Sequence, residues 1–459
     1  MNRSIGSMLL GTFVLRVSTA VTGFMLVNLV NELTVGRHTG PAANALLTGG
    51  FYTTELSGAI VFGVLADRYG RKLIMLIGPI FGAVAVFLTG LTTMMPVLFF
   101  TRLLEGGSTA ASIPSTLGFI AAETADDERL RGRVVSLFEL VSLGGMLAVG
   151  PALGGWLWES FGRPAFFLNC GFYLGALLLY AYGVSEVKRN RRMVAVGEGH
   201  HSERSVGAEV RRYLRIATNR KVLLFTPTWL SINAILGLWA LQAPLLFRGN
   251  IEDKSQFLMQ DFGAANLGLG EAGLAVVFGL GLLFWGTVYA RFRRTTMLLI
   301  GVGAFVAMTI DILLINHLGG MSGTLLAALG AGALAALFTM SCATPAALGL
   351  LADVSEGFEE DRSAIMGLYS VFLGLGQVIG AVVGGVAASI MGIDGLIVAT
   401  ALLLVVGIAA LLHLRSVESE LLAGSRDGQG PAERPAVPFR EPRAAHAAVP
   451  AEARDKEFR

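Results

Sequence analysis

The stretch Gly63-Val64-Leu65-Ala66-Asp67-Arg68-Tyr69-Gly70-Arg71-Lys72 links two long apolar runs. Asp67, Arg68, Arg71 and Lys72 are gathered beside Gly63 and Gly70 in a link too short to be a domain. A charged hairpin between membrane-length helices points to a transporter more than to an enzyme. Composition agrees: of 459 residues, 54% are hydrophobic and 15% charged, whereas soluble domains carry about 25% charged residues. A soluble protein has nowhere to place that much apolar surface. The net charge of +2 gives no global attraction to nucleic acid. Cys170 and Cys342 both lie in apolar runs, so neither a disulfide framework nor a metal site is expected. The first apolar run is long, contains Arg16 and feeds into further spans, unlike a cleaved signal peptide.

A membrane helix needs about 20 apolar residues to cross a ~30 Å hydrocarbon core. On that ruler the chain holds twelve spans, near 5–30, 44–66, 73–93, 97–122, 133–157, 164–184, 221–247, 270–290, 295–316, 322–351, 363–390 and 394–414. Barrel strands would alternate polar and apolar residues, and no such pattern is present. The expected fold is therefore all-α and integral to the membrane. Residues 1–184 form a first six-helix bundle, 185–220 a linker, 221–415 a second bundle and 416–459 a polar, Ala- and Pro-rich disordered tail.

Lys and Arg set the orientation. Arg68, Arg71 and Lys72, then Arg129, Arg131 and Arg133, then the stretch from Lys188 to Lys221, then Arg291, Arg293 and Arg294 all fall on one side. The opposite links, such as Leu91 to Pro96 and Leu318 to Gly323, are nearly free of cations. Both termini are expected in the cytoplasm, with the basic linker either at lipid headgroups or simply solvated.

The two halves repeat one another. Pro114-x-x-Leu117-Gly118 recurs as Pro345-x-x-Leu348-Gly349, each followed at equal spacing by an arginine, Arg131 and Arg362. Gly150-Pro151-x-x-Gly154-Gly155 recurs as Gly380-Ala381-x-x-Gly384-Gly385. Gly286, Arg291 and Arg294 echo Gly63, Arg68 and Arg71, with Ala290 in place of Asp67. Two related bundles with a substrate site between them near the midplane are the expected architecture.

At its hairpin the chain resembles the major facilitator superfamily, whose loop between the second and third helices carries GxLaDrxGRk; every consensus position is matched. The resemblance implies a pseudo-symmetric pair of six-helix bundles and a latch role for Asp67 in the state closed to the cytoplasm. Arg68, Arg71 and Lys72 would bind carboxylates or lipid phosphates, while Gly63 and Gly70 allow close approach and a tight turn. Gly150, Pro151, Gly154 and Gly155 are similar to the antiporter motif of drug and proton exchangers, although the upstream glycine of that pattern falls at Met146. Small residues there let helices meet backbone to backbone, and proline bends the rod. Helix packing with no bearing on coupling is the other reading of the motif. Arg102-x-x-Glu105-Gly106 resembles the family's RxxqGxg, with glutamate replacing the usual glutamine.

A charge at mid-bilayer costs at least ~2.5–3.5 kcal/mol, so ionisable groups within spans face a partner or a wet cavity. The proton-coupling candidates are Arg16, Glu55, Arg102, Glu105 and Glu139, with Asp311 read as structural. Burial disfavours the charged form of Glu55 and Arg16 favours it, a tension suited to a proton carrier. A permanent Arg16–Glu55 ion pair is the alternative. Arg102 and Glu105 form either a coupled pair or a self-neutralising one, and Glu139 is a candidate gate partner for the hairpin arginines. In the second half, Trp229, Asn233, Gln242 and Gln377 are candidates to line a substrate cavity. A polar first half facing an apolar second half suits an amphiphile.

The chain has no GxxxxGK[ST] loop, and no enzyme activity or cofactor is expected. The expected function is proton-coupled antiport exporting hydrophobic or amphiphilic small molecules from a monomer in the cell membrane. The partners are a small-molecule or lipid-like substrate, protons and membrane lipids, with no nucleic acid. A lipid or glycolipid flippase and a non-transporting scaffold or sensor are the alternatives.

Overall fold

The computed structural model describes residues 3–35, 39–124, 127–185, 220–249, 253, 255–288, 291–318, 322–355 and 362–426. For residues 67, 128, 220, 221, 352–355, 362–370 and 417–426 only the backbone is described. Most of the linker and the tail beyond residue 426 lie outside these ranges.

Lipid offers no partner to a backbone amide, so the described chain meets its own hydrogen bonds within helices. The first lobe comprises α1 (Arg3–Thr34), α2 (Gly40–Tyr69), α3 (Arg71–Leu91), α4 (Met95–Glu123), α5 (Glu128–Leu143), α6 (Gly150–Phe161) and α7 (Ala165–Gly183). The second comprises α8 (Arg220–Leu246), α9 (Ala264–Val288), α10 (Arg294–His317), α11 (Gly323–Met340), α12 (Ala343–Ser355) and α13 (Arg362–Arg426). A π-helical turn, Gly144–Val149, joins α5 to α6 into one bent rod, just ahead of Pro151. Proline has no amide hydrogen to give, and a wider turn before it accommodates the break in the ladder. α13 reverses at Gly392, where φ is +60°, so it supplies two limbs.

Among the described residues nine helical stretches are long and apolar enough to cross a membrane, and one of these, Val371–Ser416, contains the reversal. α2 and α4 complete the twelve rods. They have the length but are more polar, with Asn44 and Glu55 on α2 and Arg102, Glu105, Ser108 and Thr109 on α4. The final helix continues to Arg426.

Each lobe has its own apolar core. One is built around Met8, Val21, Met25, Phe166 and Tyr173, the other around Phe225, Trp229, Leu238, Met297 and Leu396. The lobes meet along two seams, α6 against α9 and α2 against α13. Both seams use the repeated glycines in the same way. Gly154 lies against Val21 of α1, within its own lobe, while a Cβ on Gly155 would stand 3.1 Å from the carbonyl carbon of Ala264 in the other lobe. Correspondingly, Gly384 lies against Leu238 of α8 and Gly385 against Pro41 and Ala45 of α2. The internal repeat is thus a repeat of packing.

Hydrogen bonds between the lobes gather at the end opposite the charged hairpin. Asn31 Nδ2 donates to the Arg248 carbonyl at 3.2 Å, Asn44 Nδ2 donates to the Leu241 carbonyl, and the Ala265 amide donates to Glu159 Oε2 at 2.8 Å.

Candidate functional site

The polar groups of the first lobe converge between α1, α2, α4 and α7. Arg102 and Glu105 stand one turn apart on α4, paired with each other and almost wholly buried. The Tyr173 hydroxyl on α7 donates to Glu105 Oε1 at 2.9 Å and lies 3.1 Å from the Thr19 hydroxyl on α1. The Arg102 guanidinium sits 4.5 Å from the centroid of the Phe51 ring, an attraction that strengthens out of water. Beside this cluster, Asn169 Nδ2 donates to the Ser18 carbonyl at 2.9 Å and to Thr22 Oγ1 at 2.8 Å, fastening α7 to α1.

Arg16 and Glu55 form a looser pair. Arg16 Nη1 lies 4.0 Å from Glu55 Oε1, with side chains 14% and 22% exposed against 5% and 2% for Arg102 and Glu105. Arg16 also borders a small, mostly apolar cavity among Thr12, Leu15, Thr19, Thr109, Ile113 and Tyr180. Four of the five proton-coupling candidates therefore stand together. Glu139 is exposed on α5 and forms no ion pair within 4.0 Å among the described residues, but Arg16 is near enough to act on it electrostatically.

The hairpin turns on Gly70, whose φ of +105° lies where a side chain is strained. Gly63 faces Pro114 across α4. Lys72 Nζ donates to the Ala181 carbonyl at 2.8 Å, and the Arg71 side chain covers Gly118, so both cations fasten the hairpin to its own lobe. Arg68 lies 5.6 Å from the Tyr69 ring centroid. The side chain of Asp67, the expected latch, lies outside the described residues.

In the second lobe three of the four cavity candidates are packed inside the protein. Trp229 is buried and stacked on Phe225 with ring centroids 6.1 Å apart, so it belongs to the core. Asn233 Nδ2 donates to the Trp229 carbonyl at 2.8 Å, and Gln242 Nε2 donates to the Ala381 carbonyl at 3.4 Å. Both amides are buried in the seam between α8 and α13, where Gly376, Gly380 and Gly384 bring the backbones together. Their polarity serves backbone carbonyls rather than a ligand. Gln377, half-buried opposite Gly237, is the one candidate left near open space.

Sequence reasoning missed Tyr173, Asn169 and Phe51, each embedded in an apolar run, and it missed Glu271 on α9. The Oε1 of Glu271 is sealed from solvent and has no hydrogen-bond partner among the described residues.

The solved structures that this fold matches are transporters. The nucleoside transporter NupG superposes with a TM-score of 0.66 at 12% identity over 90% of this chain and 99% of its own. The peptide transporter POT gives 0.66 at 14% identity over 92% and 96%. In sequence, the chain is 32% identical over 162 residues to Multidrug resistance protein 1 of Bacillus subtilis (strain 168), covering 35% of this chain and 40% of that protein. It is 27% identical over 228 residues to Quinolone resistance protein NorA of Staphylococcus aureus (strain MSSA476), covering 50% and 54%. The chain thus spans about half the length, or less, of the curated relatives it matches. Residues 8–251 and 253–450 fit the sequence pattern shared by one family, the whole of both lobes, and the chain belongs to the Major Facilitator Superfamily.

Proposed function

We propose that this membrane transporter is a proton-coupled antiporter that exports hydrophobic or amphiphilic small molecules by alternating access. The observation that carries the reading is the contrast between two arginine–glutamate pairs. Glu105 is held by Arg102 and by Tyr173 and is almost wholly buried, whereas Glu55 meets Arg16 only at 4.0 Å and stays partly open. The first pair is a fixed scaffold. The second is free to exchange.

In the proposed cycle Glu55 takes a proton from one side, which releases Arg16 from the pair. Arrival of substrate or rocking of the lobes then favours the charged carboxylate, and the proton leaves on the other side. The step moves a proton onto and off a carboxylate oxygen and needs no cofactor. One charge crossing ~100 mV releases ~2.3 kcal/mol, which sustains roughly a 50-fold gradient of a neutral solute.

The resistance proteins named above support the choice of solute class. The polar, hydroxyl-rich first lobe set against the apolar core of the second suits a solute with one polar and one greasy end. The cationic links favour a cytoplasmic position for both termini, and in this reading the seam at the end away from the hairpin is the extracellular gate. A single chain holds both lobes, so it works as a monomer in the cell membrane.

Reconstitution into proteoliposomes tests the reading. Addition of a lipophilic cation is expected to discharge an imposed proton gradient, and Glu55→Gln is expected to abolish that discharge while expression stays normal. Discharge that survives Glu55→Gln removes Glu55 from the cycle. Movement of labelled lipid between leaflets without proton flux replaces antiport with lipid flipping.

A further inference from the structure

Glu271 is the one ionisable residue on α9. It lies one turn along the helix from Gly268, whose face packs on the Pro151 carbonyl and on Ala152. Residues three apart share a helix face, so Glu271 belongs to the side of α9 that meets the first lobe at its glycine motif. The elements packed against α9 are α6, the π-helical turn Gly144–Val149, α11 and α12. None of these carries a lysine, an arginine or a histidine. Their acidic members are Glu159, which receives the Ala265 amide at the far end of the seam, and Asp353, whose side chain lies outside the described residues.

This separates Glu271 from the other buried carboxyls. Glu55 and Glu105 each have an arginine, and Glu105 also has Tyr173. Glu271 has no cation, and its Oε1 has no donor among the described residues. A carboxylate in that position would be an uncompensated charge, which burial penalises by several kcal/mol. Neutralisation has to come from a proton.

We infer that Glu271 is a second proton-carrying carboxyl, set in the seam between α9 and the glycine motif and loaded whenever that seam is closed. The inference rests on the antiport reading above. Opening the seam brings water to the carboxyl and lets the proton leave; closing it requires the proton to return. The chemistry is one proton bound to one carboxylate oxygen. Because the group sits where the lobes separate, its occupancy and the conformation control each other.

Two measurements on the full-length protein test this. The first is labelling by dicyclohexylcarbodiimide, an apolar reagent that adds to protonated carboxyls, read by mass spectrometry of the peptide holding residue 271. Labelling is expected at neutral pH in the wild type and in Glu271→Asp, to fade at alkaline pH, and to be absent in Glu271→Gln. An unlabelled Glu271 in folded protein overturns the proposal. The second is the proton-to-substrate ratio from reversal potentials in proteoliposomes. Glu271→Gln is expected to lower it by about one proton per substrate, with Glu271→Asp retaining the wild-type value. An unchanged ratio in Glu271→Gln overturns the proposal while leaving antiport through Glu55 intact. A wild type that moves no protons with substrate sinks the antiport reading itself, and carbodiimide labelling still reports whether Glu271 holds a proton.

Discussion

Tyr173 reaches from α7 to α4 to donate a 2.9 Å hydrogen bond to Glu105, and the same hydroxyl touches Thr19 on α1. One phenol thus ties three helices to a buried carboxylate that already has its own arginine. Removing only that hydroxyl, in Tyr173→Phe, should lower stability by about 1.5–3 kcal/mol, the range for hydrogen bonds to charged groups. Thermal unfolding in detergent reads the loss. Proton coupling through Glu55 should persist, because Tyr173 holds the scaffold pair.

Arg102 and Glu105 are worth more together than apart. Arg102→Ala leaves a carboxylate buried without its cation, a loss of about 3–5 kcal/mol. The double variant Arg102→Ala/Glu105→Ala should recover part of that, since no uncompensated charge remains. Folded yield and melting temperature of the two single variants and the double variant form the cycle; a double-variant loss equal to the sum of the two single losses would show that the pair does not act as a unit.

Gly155 has no room for a side chain, because a Cβ there would press on the backbone at Ala264. Gly155→Val should overpack the seam by about 1–3 kcal/mol, selectively against the conformation described above. Asn44, whose side chain bonds across the lobes to Leu241, supplies the reporter. In Asn44→Cys/Gly155→Val, an impermeant thiol reagent should react faster than in Asn44→Cys alone, and transport should fall. Equal reaction rates would mean that the seam tolerates the valine.

The loop before α9 carries a pH-dependent fastening outside the membrane. The Ser255 hydroxyl, the Ser255 amide and the Gln256 side chain hold the Asp253 carboxyl below its ordinary range, with slight burial acting in opposition. A carboxyl lowered on folding adds stability above its unfolded pKa and loses it as pH falls through the lowered value. Protection of the Ser255 amide, taken relative to its intrinsic exchange rate at each pH, should therefore fall as the medium is acidified below the usual carboxylate range, and Ser255→Ala should shift that onset to higher pH. Because Asp253 is largely exposed, the effect is small and local.

Much of this fold was legible because lipid punishes polarity. Charges concentrated at Asp67 to Lys72 had to mark a link, and Arg16, Glu55, Arg102 and Glu105 had to find each other or water. The glycine repeats were visible for the same reason, since small residues at intervals of four announce close helices. The packed positions of Trp229, Asn233 and Gln242 were not legible because composition does not separate a cavity from a seam. An amide on a glycine-rich helix face satisfies neighbouring carbonyls as readily as a ligand, and Gly376, Gly380 and Gly384 were the overlooked signal. Glu271 escaped notice because it sits at the glycine-rich edge of its span, in Gly268-Leu269-Gly270-Glu271, where a charge reads as a boundary.

At Gly155 the lobes touch through main chain, and at Gly385 through main chain and the single methyl of Ala45, so little bulk has to withdraw at these two points before one surface glides over the other. Such a joint behaves as a smooth bearing. In the proposed antiport cycle, the electrochemical work of a proton or two, a few kcal/mol, would meet little steric resistance there.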